Sequence, residues 1–459
     1  MVIARSEFDV VVIGAGAAGM IAAARAAEAM RSSLASSSSG DASVLLLEKN
    51  RKAGAKILMS GGTRCNLTHD CGNAGIMEAF GKSGRFLRQA LDQLSPQATV
   101  KMFHDLGVAT KIESTGKVFP KNDRAVEVRD ALLRDVHAQG VQVRLGAGVQ
   151  GLQRQEGCWE VQTDSGTVSA NKVIVTAGGR SWPGCGTTGD AYEWLSQLGH
   201  SIEQTRPALV PLTGGADWSR ELSGLTLPEI GLEVWASAKP HSSTGNGGRR
   251  SGKRKKPLIR REGGFLFTHR GFSGPAVMDV SRYLTTPDGV TDDRLVIDLL
   301  PAMSTAAVED WIADIKRKGG GQTLANALTK LLPSRLASAI AQLAIQGTDV
   351  PRAGAADQVF PLAELKREVW LRLSGFLKQH ELPVHGSRGF EKAEVTAGGV
   401  RLSEVDPRSM QSRLVDGLYI AGEVLDLDGW IGGYNFQSAF STGAMAGLAA
   451  AESIRNGEH

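Results

Sequence analysis

Val10-Val11-Val12-Ile13-Gly14-Ala15-Gly16-Ala17-Ala18-Gly19 is the stretch on which the fold of this 459-residue chain turns. An apolar run ends in a glycine-rich turn, and an alanine-rich segment, Ala17 to Met30, follows at once with helical character. Val10 to Ile13 read as a strand buried in a parallel sheet, where both faces are covered and alternation is lost. In the turn, Gly14 permits the sharp reversal, Gly16 lets a pyrophosphate approach the backbone, and Gly19 lets helix and strand pack closely. The helix N-terminus behind them offers N–H groups and a dipole that favours anions.

The spacing alone is weak evidence, so the surroundings matter. A second strand, Val44 to Leu47, ends in Glu48, whose carboxylate is placed to take ribose hydroxyls. Glu48 comes later than the usual ~20 residues after the motif. The excess matches a serine-rich insertion, Arg31 to Ser43. A second match to the same spacing, Gly146 to Gly151, is followed by strand-like sequence, Trp159 to Thr163 included. With no helix to present its N-terminus, that match is rejected as a phosphate site.

Composition bounds the rest. Two or three domains are expected at this length, and 42% hydrophobic residues support large cores. No apolar run reaches the ~18 residues of a membrane span. The first strand begins so early that no signal peptide is expected. Cys65, Cys71, Cys158 and Cys185 form no CxxC pair, which argues against structural zinc and for a cytoplasmic protein. The net charge of +4 is uneven. Arg249, Arg250, Lys253, Arg254, Lys255, Lys256, Arg260 and Arg261 hold eight positive charges with no acid among residues 249–261, so the remainder is net negative, at −4. This basic run lies in a low-complexity stretch, Lys239 to Arg261, expected to be disordered when free.

Along the chain, Lys49 to Thr68 reads as a glycine-rich polar loop with Lys56 and Arg64 as cations facing something anionic. Helices are expected over Ser83 to Leu106 and Asp123 to Gln139, then short strands from Val141 to Val175. Val173 to Gly179 is a buried strand ending in small residues that would let backbone approach a cofactor. From about Arg206 the texture becomes strand-like, at Leu209 to Leu212, Ile230 to Ala236, Gly264 to Thr268 and Leu295 to Leu299. Ser304 to Gln346 is helical with a break at Gly319-Gly320-Gly321, and Pro361 to His380 is a further helix. Glu391 to Thr396 returns to strand, Gly417 to Glu423 forms a short strand and ligand loop, and Asn435 to Ala451 is a small-residue helix.

Ser60-Gly61-Gly62-Thr63-Arg64-Cys65-Asn66-Leu67-Thr68, Phe267-Thr268-His269-Arg270-Gly271-Phe272-Ser273-Gly274-Pro275, Thr396 to Val400, and Gly422-Glu423 through Gly432-Gly433-Tyr434-Asn435-Phe436-Gln437 follow the first motif in order. Together they make the chain resemble the YhiN-like flavoproteins. That family includes aminoacetone-oxidase-like enzymes, a bile-acid-reducing flavoenzyme and the ribosomal RNA dihydrouridine synthases. The serine-rich segment, the basic stretch and Cys185 depart from the pattern.

The resemblance implies an α/β fold: a Rossmann-like FAD-binding domain made of residues 1–200 and 386–459. Between them it implies a β-barrel insert, 201–300 and 347–385, and a helical subdomain, 301–346. It implies tightly bound FAD, with Gly14, Gly16, Ala17, Ala18 and Gly19 at the pyrophosphate and Glu48 at the ribose. Arg64, Cys65 and Asn66 would line the flavin side, and Glu423 after Gly422 would take the ribityl hydroxyls. Gly433, Asn435, Phe436 and Gln437 would meet the ring at a helix N-terminus. Lys49, Lys56, Gly62, Val149, Ala177 and Gly178 complete the expected cofactor set.

Reduction of an activated C=C bond needs a proton donor, for which Cys65, His269 and Tyr434 are candidates. NADH or NADPH is the expected transient electron donor. The leading expectation is reduction of uridine to dihydrouridine in large-subunit ribosomal RNA, held through the basic segment. The alternatives are a small-molecule flavin oxidoreductase (amine oxidase or ene-reductase) and a flavin-containing RNA-binding assembly factor. No metal site and no membrane partner are expected, and the oligomeric state is open.

Overall fold

The computed structural model describes residues 7–34, 43–155, 157–237, 256–346 and 361–457. The core of the serine-rich insertion and the cations Arg249, Arg250, Lys253, Arg254 and Lys255 lie outside them. The chain divides into two compact units, Met1–Ala208 with Gly389–His459, and Leu209–Arg388. Each has its own hydrophobic core.

The first unit is built on a parallel sheet. Strand β1 (Phe8–Ile13) is followed by helix α1 (Ala17–Leu34) and strand β2 (Val44–Glu48). The lone short helix α2 (Ala55–Met59) lies in the stretch expected to be loop. Gly54, at φ 67°, turns the chain into it, and Ile57 anchors it in the core. Strands β3 (Gln142–Leu145), β4 (Val149–Gln155), β5 (Cys158–Thr163) and β6 (Gly166–Val175) complete this half, in the order β3-β2-β1-β6-β5-β4. The long strand β6 serves two neighbours on one side. Its first half pairs antiparallel with β5, and its second half runs parallel to Leu418–Ile420 from the C-terminal segment. Gly151 of the second glycine match lies in strand β4.

Ser83 to Leu106 does not form one helix. A 3-10 turn (Gly81–Leu87) and a helix (Arg88–Gln93) are separated from a second helix (Pro96–Asp105). The restart is local chemistry: the Ser95 hydroxyl accepts from the Ala98 N–H, and Pro96 takes the first helical position.

In the second unit, seven strands form one sheet among the described residues. They are β7 (Leu212–Gly214), β8 (Thr226–Trp235), β9 (Ile259–Thr268), β10 (Gly271–Ser273), β11 (Arg294–Asp298), β12 (His380–Leu382) and β13 (Val384–Ser387). The order is β12-β11-β8-β9-β10-β7-β13. The edge strands β12 and β13 are separated in the chain only by Pro383. The sheet must therefore curl until its edges meet, which gives a barrel interrupted where proline has no N–H to donate. Helices α3 (Thr305–Lys318), α4 (Leu324–Leu328), α5 (Ser334–Ile345) and α6 (Arg367–Lys378) add their apolar faces to this core.

The strand expected to begin at Leu209 begins at Leu212, and the strand expected over Glu391 to Thr396 is Val395–Val400. The latter pairs antiparallel with Ile202–Ala208, Ala208 opposite Val395, at the point where the chain leaves and re-enters the first unit. The chain ends in α7 (Tyr434–Arg455), which packs along α1. Gly443 and Gly447 make that contact possible: a Cβ at either would stand 2.4 or 2.3 Å from the carbonyl oxygens of Ala18 and Ala22. Among the described residues no helix is long and apolar enough to cross a membrane.

Candidate active site

The parallel strands all deliver their C-terminal ends to one place. Ile13 ends β1 and Gly14 follows it, Glu48 closes β2, Ala147 follows β3, Thr176 and Ala177 follow β6, and Gly422 follows Leu418–Ile420. All of them line a cleft of about 1260 Å³, open mouth included, in the first unit. This is where open parallel α/β sheets hold ligands.

The glycine turn is shaped by contact at two positions and by space at a third. Gly14 sits at φ 100°, and a Cβ there would meet the Thr176 carbonyl oxygen at 2.8 Å. A Cβ on Gly19 would come within 1.8 Å of the Gly14 carbonyl oxygen. At Gly16 a Cβ would meet nothing within 4 Å. So Gly19 is required by packing, whereas Gly16 leaves room in the cleft itself. The first-turn N–H groups of a helix lack intrahelical partners, and Gly16, Ala17 and Ala18 at the start of α1 line the cleft, which suits a pyrophosphate.

Glu48 ties the turn to the next strand. Its carboxylate accepts from the Ala15 N–H at 2.9 Å and from the Asn50 N–H at 2.8 Å. An ionised carboxylate has about four lone-pair sites, so two remain for ribose hydroxyls. Lys49 Nζ donates to Thr188 and Asp190, at 2.6 Å each, on the cleft wall. Lys56 is paired with Glu423 and donates to the Ser181 hydroxyl at 2.6 Å. Glu423 also accepts from Ser181 Oγ at 2.7 Å and from the Thr396 N–H at 3.0 Å. Three of its acceptor sites are thus used in holding the cleft together. Glu394, which the sequence reading placed only in a strand, also lines the cleft. Burial, with Glu423 adding to it, raises its carboxyl above the usual range.

Val149, Ala177, Gly178, Asn435 and Phe436 line the cleft as well. Gly62, Arg64, Cys65, Asn66, Gly433, Tyr434 and Gln437 do not. Arg64 turns to Glu113 and to Asp123, 2.8 Å away, with its guanidinium 3.9 Å from the Phe119 ring centre. Hydrogen bonds to Glu113 and then Asp123 raise its already high pKa. Cys65 is fully buried at φ 59°, its N–H bonded to the Ser60 carbonyl at 3.1 Å. Burial pushes its thiol up to about 12, so it stays protonated. Gln437 spends its amide N–H groups on the Leu94 carbonyl, Thr99 and Ser441. Asn435 braces the backbone of Gly429 and Trp430.

Around the start of α7 lies a set of unpartnered polar atoms. Asn66 Oδ1, Thr68 Oγ1 and His69 Nδ1 are buried without hydrogen-bond partners. Gly433 packs tightly against them: a Cβ there would stand 2.5 Å from the Thr68 carbonyl oxygen and 2.8 Å from Asn66 Oδ1. Buried polar atoms left open in this way suit a ligand that brings its own donors and acceptors. The glycine turn and the spare acceptor sites of Glu48, which do line the cleft, fit FAD.

His69 was not singled out from the sequence. Its ring stacks on Tyr434, with centroids 4.9 Å apart and planes 16° apart. Nε2 is 3.0 Å from the Thr115 carbonyl oxygen, which only accepts, so Nε2 carries the hydrogen and Nδ1 is left as an acceptor. Burial keeps the ring neutral by lowering its pKa. The signal available was its position directly after the Arg64-Cys65-Asn66-Leu67-Thr68 run. His269 lies in the second unit, exposed on the wall of a separate pocket with Arg270 and Arg388.

The family model described as HI0933-like protein Rossmann domain matches residues 8–449. The chain belongs to that family. It is 32% identical over 444 residues to a 3-dehydro-bile acid delta(4,6)-reductase of Clostridium scindens, covering 96% of this chain and 98% of the relative. It is 33% identical over 436 residues to the ribosomal RNA dihydrouridine synthase of Escherichia coli K12, covering 95% and 96%. It is 30% identical over 446 residues to the enzyme of the same name in Haemophilus influenzae, covering 95% and 97%. As a member of this family with a cleft of this kind, the chain is an FAD-dependent oxidoreductase.

Proposed function

We propose that the protein saturates a carbon–carbon double bond conjugated to a carbonyl, and that the bond is C5=C6 of a uracil base in large-subunit ribosomal RNA. The reading rests on near-full-length similarity to two proteins named as ribosomal RNA dihydrouridine synthases. NADH or NADPH is the electron donor in this proposal. Flavin, when bound, supplies the hydride.

The chain must then orient the base and deliver one proton to the carbon that the hydride does not attack. Tyr434 suits this better than Cys65. It opens α7 with its ring held flat against His69, whereas the Cys65 thiol is buried and a weaker acid still for being so. Glu423, Lys56 and Ser181 act earlier, by fixing the cleft wall against which the cofactor lies.

A second reading has its own support in the bile-acid reductase, whose identity and coverage are similar. Both names describe reduction of an enone-like bond, so the two differ in substrate and share the chemistry. Mass spectrometry of large-subunit ribosomal RNA from cells with and without the gene separates them. The proposal expects dihydrouridine to disappear with the gene and to return when purified enzyme and NAD(P)H are added to the deficient RNA. Unchanged dihydrouridine would discard the RNA substrate and leave the small-molecule enone.

A further inference from the structure

The second unit has a pocket of about 690 Å³ on its barrel, separate from the FAD cleft of the first unit. Arg270 and Arg388 stand on its wall with His269, Thr268 and Ser273, and no carboxylate is among its lining residues. The two arginines flank β7 from opposite sides. Arg270 precedes β10, and its carbonyl accepts from the Gly214 N–H at 2.9 Å. Arg388 follows β13, and its N–H donates to the Pro211 carbonyl at 3.0 Å. The sheet thus fixes both backbones and leaves both side chains to the pocket.

Other arginines of this sheet are neutralised. Arg260 pairs with Glu233 and Glu262, Arg261 with Asp279, and Arg294 with Glu381. Neither guanidinium of Arg270 and Arg388 has a carboxylate within reach among the described residues. Behind them, Phe267 and Leu212 are buried and apolar, a low-dielectric wall that strengthens attraction to an anion in front of it. Guanidinium forks match the paired oxygens of a phosphate group. Arg260 and Arg261, expected from the sequence to bind RNA, are committed to carboxylates, whereas Arg270 and Arg388 bring unpaired positive charge to this pocket.

We infer that Arg270 and Arg388 form a phosphate-ester site that grips the backbone of the RNA substrate. The inference rests on the proposed substrate class. The phosphates of NADPH share the same chemistry, and the test separates the two sources.

The test uses the FAD-loaded enzyme. Binding of a fluorescein-labelled oligouridylate is followed by anisotropy across a potassium chloride series, for wild type, the double variant R270Q/R388Q and the double variant R270K/R388K. Flavin bleaching by NADPH and by NADH is recorded in parallel without RNA. Neither arginine gives up an ion pair, so thermal melts of the variants should overlay the wild type. The site expects R270Q/R388Q to bind the oligonucleotide at least about tenfold more weakly. The slope of log affinity against log salt should become shallower by about 1.4, for two lost single-strand phosphate contacts. R270K/R388K should keep most of that slope, and bleaching should not change.

Equal binding by wild type and R270Q/R388Q overturns the site, as does failure of the wild type to bind the oligonucleotide. A raised KM for NADPH with unchanged oligonucleotide binding overturns the RNA assignment and gives the phosphate to the electron donor. The substrate proposal fails separately. Arginine-dependent binding in an enzyme whose gene leaves ribosomal dihydrouridine unchanged keeps the site and discards the reaction.

Discussion

At the scale of single residues, three glycines in one motif do different work, and the difference can be measured. Gly19 is closed off by the Gly14 carbonyl, so Gly19→Ala forces backbone apart and should cost about 1–3 kcal/mol of stability with or without FAD. Gly16 has open space where a Cβ would go. Gly16→Val should fold normally and lose cofactor, with FAD affinity lowered at least about tenfold. Urea unfolding of the apo-proteins and titration with FAD distinguish the two. A Gly16→Val protein that purifies fully yellow would move the pyrophosphate elsewhere. The same scale shows what a sequence leaves dark. Gly14 abuts Thr176 and Glu48 binds the Ala15 N–H, both far away in the chain, so what the sequence carried locally was the strand–turn–helix pattern around them. Arg64 was read as a cation awaiting an anion, but its partners Glu113 and Asp123 lie 49 and 59 positions away. No local pattern announces such a pairing. The burial of Cys65 is equally non-local.

At the scale of elements, helices and strands were located by periodicity more reliably than their ends, which depend on single residues such as the Ser95 hydroxyl cap and the left-handed Gly54. A long-range arrangement ties His200 and Ser201, just before the strand Ile202–Ala208, to the turn at Leu402–Glu404. His200 is buried, with Nδ1 3.3 Å from a Glu404 carboxylate oxygen and Nε2 2.8 Å from the Ser412 hydroxyl. Burial lowers the His200 pKa despite Glu404. Burial also works against the Glu404 charge, yet the Ser201 N–H and then His200 hold its pKa below the usual carboxylate range.

Both groups have folded-state pKa values below their unfolded ones. Each therefore contributes stability that is present above the unfolded value and lost as pH falls through the folded one. For His200 the loss begins below its ordinary 6.5, and for Glu404 below its ordinary 4.5. One proton taken up on unfolding gives a slope of up to about 1.4 kcal/mol per pH unit. Urea unfolding free energies should fall from pH 7 to pH 5.5, and His200→Gln should flatten that fall. His69 and His380 are also lowered by burial, so the slope is reduced and not abolished. An unchanged slope in the variant would mean that folding does not lower the His200 pKa.

At the scale of the whole molecule, the two-part domain with an insert was legible because the last glycine-rich segments only make sense beside the first. The insert's curled sheet was not readable from local pattern, since it depends on β12 and β13 being neighbours in the chain and opposite edges in the sheet. The insertion makes a strong statement about folding. Every residue of the first core belongs to 1–208 or 389–459, and every residue of the second to 209–388. The chain leaves the first unit beside the place where it returns, since Ala208 is paired with Val395 across an antiparallel ladder. A short glycine–serine linker in place of residues 209–388 can span that gap, because closing a short loop costs little entropy.

The linked first unit should therefore fold cooperatively and bind FAD, seen as a stoichiometric yellow protein with a single unfolding transition. Every residue lining the candidate cleft lies within it. It should also lose oligouridylate binding, because Arg270 and Arg388 leave with the insert. A linked unit that binds FAD and still binds RNA would place the RNA grip on the cofactor domain. One that fails to fold would show that the first core depends on the insert, against the separation of the two cores.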